Sequence, residues 1–135
     1  ALTLAKALDN SGVAQLLAIQ LDVFLSGQSA YLALIVIFIL TMLVTELVTN
    51  SAAAALIFPI AYNIALALGV SPLPFVMAVA FAASGSFISP YGYQTNVMVY
   101  NAGNYKLTDI IRFGAPISLT YSIVILTLLP WIFPF

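Results

Sequence analysis

The chain has 135 residues, of which 64% are hydrophobic and 5% charged, and its mean hydropathy is +1.16. A water-facing surface needs roughly 25–35% charged residues, so lipid or other apolar protein must cover most of this one. Three basic residues and a net charge of −1 give no basic patch for nucleic acid; the absence of cysteine excludes disulfide, thiolate and cysteine–zinc chemistry, and the absence of histidine removes the commonest general base and metal ligand.

The chain opens on Ala1, with no charged stretch ahead of a short apolar core, and the expectation is a piece of a longer protein. Residues 1–26 are mildly amphipathic: Lys6, Asp9, Asn10, Gln15, Gln20 and Asp22 interrupt Leu, Ala, Val and Ile, and Ser11-Gly12 is a turn signal. The pattern predicts two short interfacial helices, or the frayed end of a span. After the break at Ser26 to Ser29, Ala30 to Val48 is apolar. At about 1.5 Å per residue, such a helix crosses most of a roughly 30 Å hydrocarbon core. Thr49-Asn50-Ser51 interrupts it, and a second apolar run follows from Ala52 to Leu68, with Pro59 and Asn63 inside. Gly69 to Pro74 reads as a loop, and Phe75 to Ser84 as a third apolar helix.

Ser84 to Asn96, SGSFISPYGYQTN, is unsuited to a regular helix, because Gly-Ser, Ser-Pro and Gly stand close together. It also lacks the charge of an aqueous loop. A helix resumes briefly over Val97 to Asn101. Ala102 to Arg112 holds Lys106, Asp109 and Arg112 and reads as an aqueous or interfacial loop. Phe113 to Phe135 is a long apolar helix with Pro116 in its first turn, and Trp131, Phe133 and Phe135 at its end suit a membrane interface. Lys106 and Arg112 place their loop on the cytoplasmic side and the C-terminus outside.

The polar residues within the apolar runs carry the chemistry. Thr41, Thr45 and Thr49 are spaced at i, i+4 and i+8, a hydroxyl stripe on one helix face. Threonines so placed also arise simply to bond the preceding turn's carbonyls. Glu46 is costly at the centre of a membrane, about 2.5–3.5 kcal/mol on insertion scales. It must be protonated, paired outside this chain, or facing a watery cavity. If Thr49-Asn50-Ser51 is the tip of a hairpin of two half-helices, the carbonyls of the first and the free amides of the second meet there. Carbonyl, Thr and Asn oxygens suit a small hard cation such as Na⁺, and the free N–H groups before Ala52 suit an anion. A broken helix at Ser89-Pro90-Tyr91-Gly92 offers a second set of the same groups, with Gly92 allowing close backbone approach. Gln94, Thr95 and Asn96 then satisfy freed backbone groups or touch substrate. Discontinuous helices of this kind recur in secondary transporters.

At these residues the chain resembles the divalent anion/sodium symporter family, the sodium-coupled dicarboxylate and sulfate carriers. That family carries Ser-Asn-Thr at the tip of each of two re-entrant hairpins. Here TELVTNSAAAAL, from Thr45 to Leu56, looks like the second, C-terminal copy. AASGSFISPYGYQTN stands where the family has a broken helix leading to Thr-Pro-Pro-Asn, and NAGNYKLTDIIRFGAP resembles the linker before its last helix. The opening ALTLAKALDNSGVA is similar to the piece ahead of the hairpin. The sequence departs in reading Thr-Asn-Ser at the tip and Tyr-Gln-Thr-Asn after the break, forms similar to the branch whose longer members carry cytosolic regulatory domains.

The resemblance implies an all-α integral membrane fold that is half of an inverted-repeat transporter. Its parts are interfacial helices over 1–26, a re-entrant hairpin over 30–68 with its tip at 49–51, a broken transmembrane helix over 72–103, a cytoplasmic linker over 104–113 and a last transmembrane helix over 114–135. It implies that Thr49, Asn50 and Ser51 touch the anion, with Gln94 and Thr95 beside them. Thr45, Thr49, Asn50 and the Gly92 carbonyl would surround Na⁺. Lys6 would lie on an extracellular interfacial helix. The implied function is sodium-coupled transport of a dicarboxylate or sulfate by alternating access, not enzymatic catalysis. The implied partners are the missing N-terminal half, lipid of the plasma membrane and, when complete, a second copy in a homodimer. The alternatives are a proton-linked or arsenite-type permease in which Glu46 titrates, and a membrane sensor that binds anion without moving it.

Overall fold

A computed structural model describes residues 19–20 and 29–135. The interfacial helices expected over 1–26, with Lys6, lie outside the described residues apart from 19 and 20, which are helical. Five further helices follow: α1 Ala30–Leu47, α2 Asn50–Ala67, α3 Leu73–Ala83, α4 Gln94–Ala102 and α5 Leu107–Ile132. Of these, α1, α2 and α5 are long and apolar enough to cross a membrane. The fold is all-α and the chain is an integral membrane protein. In such surroundings every backbone group must find a partner within the protein, which is why runs rich in Ile, Val and Phe still form helices.

Ser29 starts α1, its hydroxyl accepting from the Leu32 amide at 3.3 Å. The helix stops at Leu47 because Val48 is extended, and Thr49, also extended, caps the next helix. The Thr49 hydroxyl accepts from the Ala52 amide and its carbonyl from the Ala53 amide at 2.9 Å. The non-helical tip is therefore Val48 and Thr49, and Asn50 and Ser51 form the first turn of α2. At its far end α2 closes with the Gly69 amide bonded to the Leu66 carbonyl and the Val70 amide to the Ala65 carbonyl. This paired closure needs a left-handed residue, and Gly69 supplies it with φ of 68°.

α1, α2 and α3 pack on one another, and α5 packs on α3. The core takes Leu34, Ile37 and Phe38 from α1, Ile57, Ile60 and Ile64 from α2, and Phe75, Ala78, Val79 and Ala82 from α3. These positions recur at three- and four-residue spacing, the interior stripe of each helix. The alanines on α3 let the neighbouring backbones approach closely, as small residues do between membrane helices.

The last helix differs from expectation. It begins at Leu107, inside the stretch 104–113 expected as a linker, and ends at Ile132. Asp109 explains the early start, since its carboxylate accepts from the Lys106 amide at 3.0 Å and caps the first turn. Asp109 and Arg112 are thus helical, and Pro116 is interior rather than in the first turn. A second proline, Pro130, has no N–H for the Leu126 carbonyl; the Tyr31 hydroxyl donates to that carbonyl at 3.2 Å instead. With the Phe38 and Tyr121 rings tilted against each other at 6.4 Å, this contact shows α5 running antiparallel to α1.

The stretch expected as a broken helix over 72–103 is two helices, α3 and α4, separated by non-helical Ser84 to Tyr93. Gly114 of α5 lies directly on this break. A Cβ there would collide with the Phe87 carbonyl and lie 3.0 Å from the Ile88 Cα. Gly114→Ala is therefore expected to destabilise the protein by about 1–3 kcal/mol, the cost of overpacking against backbone that cannot yield. A thermal melt in detergent unchanged from the parent would contradict this packing.

Candidate functional site

A helix leaves its last four carbonyls without intrahelical partners. In α3 these belong to Ala80, Phe81, Ala82 and Ala83, and each finds a donor. The Ser84 hydroxyl donates to the Ala80 carbonyl at 3.1 Å. The Ser84 amide and the Tyr121 hydroxyl both donate to the Phe81 carbonyl, at 3.1 and 2.9 Å. The Gly85 amide donates to the Ala82 carbonyl at 3.0 Å. The Thr45 hydroxyl donates to the Ala83 carbonyl at 2.7 Å, with the Asn50 Oδ1 also within its reach at 3.0 Å. Thr45 is fully buried. It ties the end of α1 to the end of α3 and to the start of α2.

The next residue, Glu46, answers the amides that follow. One carboxylate oxygen accepts from the Phe87 and Ile88 amides at 2.9 and 3.0 Å, and the other from the Ser89 amide at 2.6 Å and the Ser86 hydroxyl at 3.2 Å. A carboxylate accepts at both oxygens, so all four donors are satisfied. The partner of Glu46 is therefore the chain's own backbone some forty residues on. On the other side of the break, the Asn96 amide donates to the Ser86 carbonyl at 3.1 Å and to the Ser89 carbonyl at 3.4 Å. The Ser89 hydroxyl accepts from the Tyr91 amide at 3.0 Å. Backbone that is neither helix nor strand is thus held by Glu46, Asn96 and Ser89.

Gly92 completes the fit. A Cβ at Gly92 would collide with the Ser86 hydroxyl and lie 2.6 Å from the Thr45 carbonyl oxygen. Only glycine lets the break sit this close to the last turn of α1. The chain then turns into α4, whose first residues are Gln94 and Thr95.

The result is a cleft of about 390 Å³ lined by Thr49, Asn50 and Ser51 on one side and by Gly92, Tyr93, Gln94 and Thr95 on the other. Two helices begin at this cleft, α2 at Asn50 and α4 at Gln94. The first amides of each have no intrahelical acceptor, and each helix dipole has its positive end there. The α4 start carries no side-chain cap at all. Among the described residues, no charged side chain lines the cleft. Thr49, Ser51, Gln94 and Thr95 are exposed, while Gly92 is buried and Asn50 partly so.

The sequence-predicted residues fall into two groups. Thr49, Asn50, Ser51, Gly92, Gln94 and Thr95 meet at the cleft. Thr45 lies behind it, its hydroxyl engaged by Ala83 and Asn50 and its carbonyl beside Gly92. Asn96 braces backbone and does not line the cleft. Thr41 is buried and donates to the Ile37 carbonyl one turn back at 2.7 Å, which accounts for its place in the stripe. The roles of Ser86, of the Phe87 to Ser89 amides and of Tyr121 escaped the sequence reading, because their partners are far away in the chain. The adjacency of Thr and Glu at positions 45 and 46, ahead of a Gly/Ser/Pro break, was the available signal.

The profile of the family described as the sodium:sulfate symporter transmembrane region matches residues 1–134. An uncharacterized transporter of Synechocystis is 45% identical over 125 residues, covering 93% of this chain and 20% of the relative. The sodium/sulfate cotransporter 1 of Chlamydomonas reinhardtii is 41% identical over 121 residues, covering 87% of this chain and 14% of the relative. The sodium-dependent dicarboxylate transporter SdcS of Staphylococcus saprophyticus is 30% identical over 133 residues, covering 98% of this chain and 25% of the relative. The chain thus spans a quarter or less of the length of these three curated relatives.

Thr45→Val keeps the shape and removes the donor. It should cost about 1–3 kcal/mol, because the Ala83 carbonyl is left buried and unpaired. Thr41→Val leaves only a carbonyl already bonded within its helix and should cost well under half as much. Thermal unfolding of the two variants side by side tests the difference, and equal losses would refute the assignment of Thr45.

Proposed function

Since the chain belongs to the sodium:sulfate symporter transmembrane region family, we propose that the full-length protein carries a divalent oxyanion, sulfate or a dicarboxylate, across the plasma membrane together with Na⁺. The observation that carries this reading is the convergence of two helix N-termini, those of α2 and α4, on one cleft that no charged side chain among the described residues lines. Helix-start amides and two helix dipoles favour an anion without a fixed positive charge. Hydroxyls and amides of Thr49, Asn50, Ser51, Gln94 and Thr95 supply the remaining donors. A site built this way binds by hydrogen bonds and geometry, which suits the tetrahedral or planar oxygens of sulfate and carboxylate.

Na⁺ is a second cargo in this reading. The Thr45 carbonyl at the end of α1 lies beside Gly92, and Gly92, Thr49 and Asn50 line the same cleft. Hard oxygen donors of this kind suit a small cation. Its charge offsets the cost of holding a dianion in a low dielectric, so the two bindings reinforce one another. The hairpin over 30–68 enters from outside and carries the site, the Lys106 side is cytoplasmic, and the C-terminus is outside. The N-terminal half of the carrier supplies the other half of the site, the complete carrier is a homodimer, and alternating access moves the site across. The relatives' names, sodium/sulfate cotransporter and sodium-dependent dicarboxylate transporter, support the choice of cargo.

Proteoliposomes holding the full-length protein are expected to take up labelled sulfate or succinate when a Na⁺ gradient is imposed. Uptake that answers a pH gradient and ignores Na⁺ would replace this reading with a proton-linked permease, and binding without flux would replace it with a sensor. Asn50→Ala is expected to insert normally and to lose uptake by at least tenfold. Thr41→Val should stay within about twofold of the parent, since its hydroxyl is spent on the Ile37 carbonyl.

A further inference from the structure

We propose that Glu46 is a positioning residue for the anion cleft, and that its carboxylate permanently fills an oxyanion nest built into the break between α3 and α4. The inference rests on the reading of the cleft as the anion site. Three consecutive amides and one hydroxyl converge on the two carboxylate oxygens, at 2.6 to 3.2 Å. Successive N–H groups arranged in this way form an anion-binding concavity. Here the anion is a side chain of the same protein, fixed on the last turn of α1.

The consequence runs through the backbone. Glu46 holds Phe87, Ile88 and Ser89, and Pro90, Tyr91 and Gly92 lead directly from them into the cleft wall. The opposite wall, Thr49 to Ser51, follows Glu46 by only Leu47 and Val48. One carboxylate therefore sets the separation of the two walls. The neighbouring constraints do not reach these amides. Asn96 holds the Ser86 and Ser89 carbonyls, not the amides, and Gly114 presses on the Phe87 carbonyl from the far side. Without the carboxylate, the amides of 87–89 have no acceptor and the peptide can rotate away from α1.

Charge and shape make separate demands on this residue. Glutamine has nearly the same shape, but one of its two terminal atoms is an NH₂ donor. It would face a backbone N–H whichever way the amide were turned. Aspartate keeps both acceptor oxygens and shortens the reach by one methylene, so it would draw the break toward α1.

The test uses the full-length protein in proteoliposomes. Glu46→Gln is expected to raise the KM for sulfate by at least tenfold per inserted carrier, and Glu46→Asp to raise it by a smaller factor. A purely structural role would lower the amount of inserted protein and leave KM unchanged. Hydrogen–deuterium exchange supplies a readout independent of transport: the peptide spanning 84–93 should exchange at least tenfold faster in Glu46→Gln, while peptides within 54–66 of α2 keep the parental rate. If the parent moves neither sulfate nor succinate, the cleft reading fails while the exchange result still reports on the nest. Should Glu46→Gln fail to insert, Glu46→Asp decides, and a parental sulfate KM in that variant overturns the proposal. Parental exchange across 84–93 in any inserted Glu46 variant overturns it as well.

Discussion

Two neighbouring side chains, Thr45 and Glu46, close the backbone of a helix that stops within an apolar chain. A terminated helix leaves carbonyls at one end, and the irregular chain after it leaves amides. Each such group, if buried unpaired, costs about 1–3 kcal/mol. The Thr45 hydroxyl takes the last carbonyl of α3, and the Glu46 carboxylate takes the three amides beyond it. The break exists because both answers come from the same turn of α1. The remaining carbonyls are met by Ser84, Gly85 and Tyr121, so irregular backbone survives in a setting where lipid offers no hydrogen bonds.

From this closure the cleft follows. Thr45 and Glu46 precede the tip at Val48 and Thr49 by a few residues, so the partner of the break is also the neighbour of the hairpin tip. Gly92 permits the contact by presenting no Cβ to the Thr45 carbonyl. The two helices that restart on either side, α2 and α4, then begin at one cleft. The same chemistry occurs twice within this small region. Backbone amides hold the chain's own carboxylate at Phe87 to Ser89, and a second set, at Asn50 and Gln94, has no acceptor within its own helix. The family to which the chain belongs is one of transmembrane symporter regions.

α5 supports this arrangement from outside. Tyr121 reaches the Phe81 carbonyl and sets its ring against Phe87 at 5.3 Å, edge on. Gly114 lies against the Phe87–Ile88 peptide on the side opposite Glu46. That peptide is therefore gripped on its amide side by α1 and on its carbonyl side by α5. Pro130 leaves a carbonyl free near the far end of α5, and Tyr31 satisfies it, so the helix is anchored to the start of α1 as well.

The sequence alone determined that the chain is membrane-embedded and helical, since 5% charged residues cannot cover a water-facing surface. It also marked both breaks. The polar cluster Thr49 to Ser51 lies at the first break and the charge-free run of Gly, Ser and Pro after Ser84 at the second, and the residues singled out there, Asn50, Gly92, Gln94 and Thr95 among them, line one cleft. Local capping was less legible: Thr49 moved the start of α2 to Asn50, and Asp109 began α5 at Leu107, because single side-chain hydrogen bonds set helix ends more finely than hydropathy does. Only the tertiary structure decided what Glu46 does. From sequence it was a charge in need of a proton, a partner outside the chain, or water. Its partners are backbone amides, which every residue but proline carries and which leave no mark in the residue letters. A carboxylate that binds main chain forty residues away becomes visible only when folding brings the two together.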